Sequence, residues 1–241
     1  MSFVSIAETP LHNALLCISI AAAVFYGFMI RERPASSRRT VAKTLATALL
    51  SATVALRDGP PLLMTALALG AAGDAFLAWE DMLESSSKRK PNSNSETDTA
   101  FLYGLCSFLV SHICYASLFF QNHSGLTNFL SDLWRSTLAL GILILGPVMV
   151  FVLTPRVGQH LRLPVMGYAI AILAMVLTAL PLKSSRVVAG GIMFAVSDAI
   201  LSADKFLLTS TSSLRVGLQY AVWVLYYSAQ LLISVGVLNS I

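Results

Sequence analysis

Charged residues and cysteines are both scarce in this chain of 241 residues. Only 12% of the residues are charged and 56% are hydrophobic, whereas an average soluble domain has about 25% charged residues. This composition excludes an ordinary cytosolic domain, and so much apolar sequence also excludes a disordered chain. Three cysteines are too few for a disulfide-rich secreted scaffold, and 14 glycines without a triplet period exclude collagen. An integral membrane protein remains.

Eight apolar runs divide the chain into segments of membrane-spanning length. A bilayer core requires about 20 apolar residues per helix. The runs lie at residues 11–30, 40–57, 60–79, 100–120, 133–153, 163–182, 187–208 and 216–240. Because the connectors are short, we predict an all-α, polytopic bundle of eight transmembrane helices that forms a single membrane domain over residues 1–241. The connector at 80–99 is polar and rich in serine, which predicts a flexible loop within that domain.

The basic residues indicate orientation and not nucleic-acid binding. The net charge is +4, but Lys and Arg are scattered in short connectors and do not line one face. With both termini on one side of the membrane, that side holds four of them: Arg57, Arg135, Lys183 and Arg186. The other side holds Arg31, Arg33, Arg38, Arg39, Lys88, Arg89, Lys90, Arg156, Arg162, Lys205 and Arg215, with Lys43 set aside. The excess of positive charge predicts that this second side is cytosolic.

A few ionisable and polar groups lie inside the apolar runs. Each ionisable group costs roughly 2.5 to 3.5 kcal/mol on membrane insertion, so such residues mark candidate functional sites. The clearest are Asp74 in the third run and Asp198 in the seventh. Similar in type and depth are Lys43, His112, Tyr168, Tyr227 and Gln230. Their depths predict that they line one cavity opening toward the cytosolic leaflet.

Each of these residues also has a purely structural interpretation. The two aspartates could serve only in ion pairs or hydrogen bonds between helices. His112 could make a plain interhelical hydrogen bond, and Lys43 could extend to the interface. Small residues near the aspartates, such as Gly73 and Gly190, are also typical of close helix packing alone.

Several separated segments match the pattern of one known family. They are Gly73-Asp74 with Leu77, Phe101–Tyr115, Pro164–Tyr168, Gly190–Leu201 and Tyr226–Gln230. On these segments the chain resembles the YhhN-like lysoplasmalogenase family, which includes the vertebrate transmembrane protein 86 group. One departure is visible, because the family usually follows its second-helix lysine with proline and here Lys43 precedes Thr44.

The resemblance implies an ether hydrolase that cleaves the vinyl ether bond of lysoplasmalogens. Its products would be a fatty aldehyde and glycerophosphoethanolamine or glycerophosphocholine, and its substrate a lysophospholipid drawn from the bilayer. We assign Asp74 and Asp198 to catalysis, as proton donor and carboxylate in an undetermined order. We assign Lys43, His112, Tyr168, Tyr227 and Gln230 to substrate binding, with no metal, cofactor or nucleic acid. The resemblance further implies the endoplasmic reticulum membrane.

A function of another class stays open at this point. Paired intramembrane aspartates with a lysine are also suited to a proton-coupled transporter or a lipid carrier. The sequence has no G-x-S-x-G motif and no H-E-x-x-H motif, which argues against a serine lipase and a zinc hydrolase. Aldehyde production would distinguish the hydrolase from the transporter.

Overall fold

The structure is a computed structural model that describes residues 4–87, 94–122, 132–209 and 212–240. Over these ranges the chain forms eight α-helices and no β-strand. The helices are α1 Val4–Phe25, α2 Ser37–Ala55, α3 Pro61–Ser87, α4 Asn94–Gln121, α5 Leu133–Leu153, α6 Gln159–Ala179, α7 Ser185–Phe206 and α8 Leu214–Leu238. A π-helical turn at Tyr26–Ile30 continues α1, and a 3-10 turn at Thr154–Arg156 follows α5.

The predicted all-α membrane bundle is confirmed. Among the described helices, seven are long and apolar enough to cross a membrane, and α2 is the exception. Its first half carries Arg38, Arg39 and Lys43, and these charges lower its mean hydropathy. The protein is therefore a multi-pass integral membrane protein, whereas the count of eight crossings stays a prediction.

The polar segment at 80–99 contains more helix than its composition predicts. Helix α3 continues to Ser87 and α4 already begins at Asn94, so the predicted loop boundaries are too wide on both sides. Apolar composition follows the thickness of the bilayer, and a helix can continue beyond it with polar residues. The remaining residues, 88–93, lie outside the described part of the chain.

The chain divides into two compact units, Met1–Ser111 and His112–Ile241. In the first unit, hydroxyl groups join neighbouring helices by hydrogen bonds to backbone carbonyls. The Oγ of Ser19 donates to the oxygen of Ala46 at 2.6 Å, and the Oγ of Ser111 donates to that of Ala66 at 2.7 Å. Such bonds are a usual means of helix association in membranes.

Glycines bring α7 and α8 into close contact within the second unit. A Cβ atom added at Gly190 would lie 2.7 Å from Cγ1 of Ile233 and 3.0 Å from the backbone oxygen of Ala229. One added at Gly236 would lie 2.8 Å from Cγ2 of Val187. Because one of these neighbours is backbone, the helices cannot make room by a side-chain rotation alone.

Replacing Gly190 by Ala is expected to destabilise the protein by about 1–3 kcal/mol, as overpacking of a filled core does. Gly217 on α8 is the matched control, since an added Cβ there would meet no other atom of the described residues within 4 Å, apart from the local helix backbone. Gly217→Ala should be neutral or stabilising by up to about 1 kcal/mol, because alanine favours the helix. Thermal unfolding in detergent measures both variants, and equal melting temperatures would contradict the packing described.

Candidate active site

Asp74 lies on α3 within the first unit, where it is paired with a lysine. Its carboxylate is only 2% exposed, and its Oδ1 lies 3.2 Å from the Nζ of Lys43 on α2. The Oγ1 of Thr47 donates a hydrogen bond to Oδ2 at 3.0 Å. Lys43 and Thr47 are four residues apart and so share one face of α2. The structure thus brings together two of the predicted site residues and adds a hydroxyl donor.

The surroundings of Asp74 show how the sequence places it. The preceding residue, Gly73, has the ring of Phe108 at 2.6 Å from the position of an absent Cβ, so α3 and α4 approach closely there. A second ion pair, between Arg39 and Asp81 at 2.9 Å, joins α2 to α3 in a more exposed position. Helix α2 continues through Thr44, the residue that follows Lys43.

Asp198 lies on α7 within the second unit and faces a phenol and an imidazole. The Tyr168 hydroxyl of α6 donates to its Oδ2 at 2.9 Å. The Nε2 of His112, from the end of α4 that belongs to this unit, lies 3.6 Å from the same oxygen. The His112 ring is fully buried and packs edge-on against Phe194, with ring centroids 4.7 Å apart. Three predicted site residues therefore come together.

Gln230 on α8 presents a free donor in the interior of the second unit. The hydroxyl of Tyr115 donates a hydrogen bond to its Oε1. Both side chains are completely buried, and the Nε2 of Gln230 has no hydrogen-bond partner among the described residues. A buried N–H without a partner costs about 1–3 kcal/mol. The amide of Gln230 therefore keeps an unsatisfied donor among the described residues.

The aromatic residues of α8 pack beside this group. Tyr227 stacks on Trp223 with ring centroids 6.0 Å apart, and Tyr226 packs edge-on against Phe194 at 5.4 Å. Tyr227 was predicted to bind substrate, and its contact with Trp223 is a packing contact. Its binding role stays a prediction.

The two aspartates have different electrostatic settings. Asp74 faces the ammonium group of Lys43, whereas Asp198 faces the phenol of Tyr168 and the imidazole of His112. Carboxyl groups are among the side chains that serve as general acids and bases. Within the described ranges, no group of three His, Cys, Asp or Glu side chains could hold a metal ion. That all the predicted residues line one cavity stays a prediction.

The sequence interpretation missed two side chains in these groups, Thr47 and Tyr115. Helical spacing was the available signal, because they follow Lys43 and His112 by four and three residues. Hydroxyl side chains are common in apolar helices, so only the partner across the helix interface identifies these two.

These observations define a class: a helical, multi-pass membrane protein with buried acidic side chains inside its spans. The model of the YhhN family matches residues 38–237. The chain therefore belongs to the YhhN family, as its motifs indicated, and every candidate site residue lies within the matched range.

Curated relatives extend this assignment. The chain is 27% identical over 142 residues to the lysoplasmalogenase of Mycobacterium bovis, and the values for the lysoplasmalogenase of Mycobacterium tuberculosis are the same. Each alignment covers 57% of this chain and 51% of the relative. It is 29% identical over 176 residues to lysoplasmalogenase TMEM86A of Bos taurus, covering 72% of this chain and 64% of the relative. The chain thus spans between half and two thirds of the length of these relatives. No solved structure matches it.

Proposed function

We propose that this protein is a lysoplasmalogenase of the endoplasmic reticulum membrane. It hydrolyses the vinyl ether bond of lysoplasmalogens to a fatty aldehyde and glycerophosphoethanolamine or glycerophosphocholine. The names of its relatives support this activity. The observation that carries the chemistry is the buried carboxyl of Asp198, which the Tyr168 hydroxyl holds at 2.9 Å. A carboxyl that a phenol orients inside a low-dielectric span is suited to deliver a proton.

The proposed reaction begins with protonation of the vinyl ether at its β-carbon. The Asp198 carboxyl gives up its proton, and the electron pair of the carbon–carbon double bond forms the new C–H bond. The resulting oxocarbenium ion is captured by water, which loses a proton to give a hemiacetal. The hemiacetal then breaks its carbon–oxygen bond to the glycerol, and the alcohol oxygen takes up a proton. Glycosidases stabilise the same kind of cation with carboxylates.

The proposal assigns the carboxylate role to Asp74. Its ion pair with Lys43 at 3.2 Å supports this role, because a carboxylate can stabilise the cation and orient the attacking water. The proposal requires that both aspartates act on the same substrate molecule. Lys43 retains donors beyond its bond to Asp74, and we assign these to the substrate phosphate.

The remaining predicted residues bind or orient the substrate in this proposal. His112 lies 3.6 Å from Asp198, and we propose that it returns the proton to this carboxyl between turnovers. The free amide of Gln230 and the hydroxyl of Tyr227 bind substrate oxygens. Tyr115 is a positioning residue, because its hydroxyl bonds to Oε1 of Gln230 and leaves the NH₂ group free for a ligand.

Replacing Tyr115 by Phe is expected to raise KM about tenfold, since a hydrogen bond that orients a buried amide contributes about 1 kcal/mol or more. The kcat value should change less, because the acid is untouched. Tyr103→Phe is the matched control: it makes the same change on the same helix at a half-exposed ring. If Tyr115→Phe keeps the wild-type KM, Tyr115 does not position the amide.

The experiment that tests the proposed function supplies lysoplasmalogen to the purified protein in detergent and measures aldehyde. A lysophospholipid with a saturated ether chain is the control, because it has no double bond to protonate. We expect aldehyde from the first lipid and none from the second. No aldehyde, together with aspartate-dependent proton or solute flux into liposomes, would identify a transporter and overturn the proposal.

A further inference from the structure

A long apolar groove lies between α5 and α6 in the second unit, apart from Asp198 and its partners. Its volume is about 770 Å³, within the range of about 300–1,000 Å³ that is typical of small-molecule sites. Val150 and Phe151 of α5 line one wall, and Met166 and Ala169 of α6 line the other. The groove is open at Phe151, which is 82% exposed.

The groove runs along the helix axes from one helix end into the span. On α6 its lining extends from Arg162 to Leu173, which is about 16 Å at 1.5 Å per residue. On the facing wall it extends from Gly146 of α5 to Pro155 in the 3-10 turn that follows α5. The inner end closes where Leu173 lies 3.6 Å from the Cβ position of Gly146. A hydrocarbon chain lying parallel to the helices fits this shape.

Arg162 is the one cationic side chain among the described residues that line the groove, and it lies at the outer end. Arg162 is in the first turns of α6, and no acidic side chain is among the described residues that line the groove. Its Nε donates to the backbone oxygen of Val157 at 3.3 Å, which anchors the guanidinium and leaves its terminal NH₂ groups available. The other polar lining residue, Thr154, already donates to Val150 at 2.6 Å. The groove therefore combines an apolar channel with one donor group suited to an anion.

We propose that this groove is a binding site for a membrane phospholipid, with one hydrocarbon chain along α5 and α6 and its phosphate on Arg162. Both helices are candidate membrane spans, so hydrocarbon chains are the neighbours that their exposed apolar side chains meet. The guanidinium at the end of the groove matches a phosphate in charge and hydrogen-bond geometry. The site is independent of hydrolysis and of the proposed function.

The test uses a phosphatidylcholine that carries a photoreactive diazirine on one hydrocarbon chain. The full-length protein is purified in detergent, mixed with this lipid, irradiated, digested and examined by mass spectrometry. We expect labels on the facing walls of the groove, near Phe151 and Met166. Unlabelled phosphatidylcholine should compete with the label, whereas diacylglycerol and inorganic phosphate at the same concentration should not.

Two variants separate the headgroup contact from the chain contact. Arg162→Gln should weaken binding about tenfold, since a charge-assisted hydrogen bond is lost, and it should abolish the preference over diacylglycerol. Ala169→Phe should fill the groove and remove the labels. Arg156→Gln is the matched control, because Arg156 does not line the groove and its guanidinium donates to the backbone oxygen of Val152 on α5.

Labels that are spread evenly over the exterior helices would overturn the proposal. If diacylglycerol displaces the photoreactive lipid as effectively as phosphatidylcholine does, the proposal is also overturned. So would unchanged labelling in both groove variants at wild-type melting temperatures. These outcomes do not depend on aldehyde production, so the lipid site and the enzymatic proposal succeed or fail separately.

Discussion

Replacing Asp198 by Asn is expected to lower the rate of aldehyde release by about 10²- to 10⁴-fold, the usual contribution of a general acid. Asparagine has the same size and its amide oxygen can still accept the bond from Tyr168, but it has no acidic proton to transfer. The loss should therefore appear in kcat, with KM little changed. Steady-state assays with lysoplasmalogen, together with melting temperatures for each variant, make this measurement.

Two further variants distinguish catalysis from general damage. Asp81→Asn is the matched control, because it makes the same substitution at an exposed aspartate that pairs with Arg39. We expect this variant to keep nearly the full rate of aldehyde release. Asp74→Asn should lose activity to a similar degree as Asp198→Asn. If the two aspartates act in one step, the double variant should be no slower than the slower single variant. Multiplicative losses would contradict a shared reaction.

Replacing Lys43 by Met is expected to destabilise the protein by about 3–5 kcal/mol, because it leaves a buried carboxylate without its cation. Asp74 is only 2% exposed on its side chain and has Lys43 at 3.2 Å, so water cannot replace the ammonium group. The neutral hydroxyl of Thr47, which donates a hydrogen bond at 3.0 Å, does not replace a full positive charge. Thermal or denaturant unfolding in detergent measures the loss.

A second substitution should restore the stability but not the activity. In Lys43→Met with Asp74→Leu, apolar side chains replace both charges, and such replacements are often neutral or stabilising. The double variant should melt near the wild-type temperature and still make no aldehyde. Arg39→Met is the matched control, since its exposed pair with Asp81 contributes at most about 1 kcal/mol. If Arg39→Met lowers the stability as much as Lys43→Met does, the larger contribution assigned to the buried pair of Lys43 and Asp74 is wrong.

Much of the fold could be predicted from the sequence because the bilayer imposes a length on apolar segments. The run at 133–153 coincides with α5, Leu133–Leu153. The ends of α3 and α4 were harder to predict, since both helices extend past the apolar run into polar residues. Helix α2 is a different case, because its charged residues make it less apolar than a typical membrane span. Two of these residues, Arg39 and Lys43, have acidic partners on α3, and the sequence alone does not show these pairs.

The sequence predicts those candidate site residues whose burial in the membrane costs free energy. Inserting an aspartate into a membrane span costs free energy unless the side chain has a partner, so Asp74 and Asp198 are identifiable as candidate site residues from the sequence alone. Tyr115 gave no such signal, because a tyrosine is ordinary in an apolar helix. Its role depends on Gln230, which is 115 residues away in sequence, and no local pattern encodes a contact of that range.

Isotope incorporation into the aldehyde tests whether a proton is transferred to the β-carbon of the vinyl ether, and variants of Asp198 and Asp74 test whether this transfer depends on the proposed acid and the proposed carboxylate. The purified protein, Asp74→Asn and Asp198→Asn are each incubated with lysoplasmalogen in D₂O, and the aldehyde is analysed by mass spectrometry. We expect the wild-type protein to form aldehyde with one deuterium on the carbon next to the carbonyl. We expect both variants to form almost no aldehyde. Aldehyde without that deuterium, or deuterated aldehyde from either variant at the wild-type rate, would contradict the mechanism.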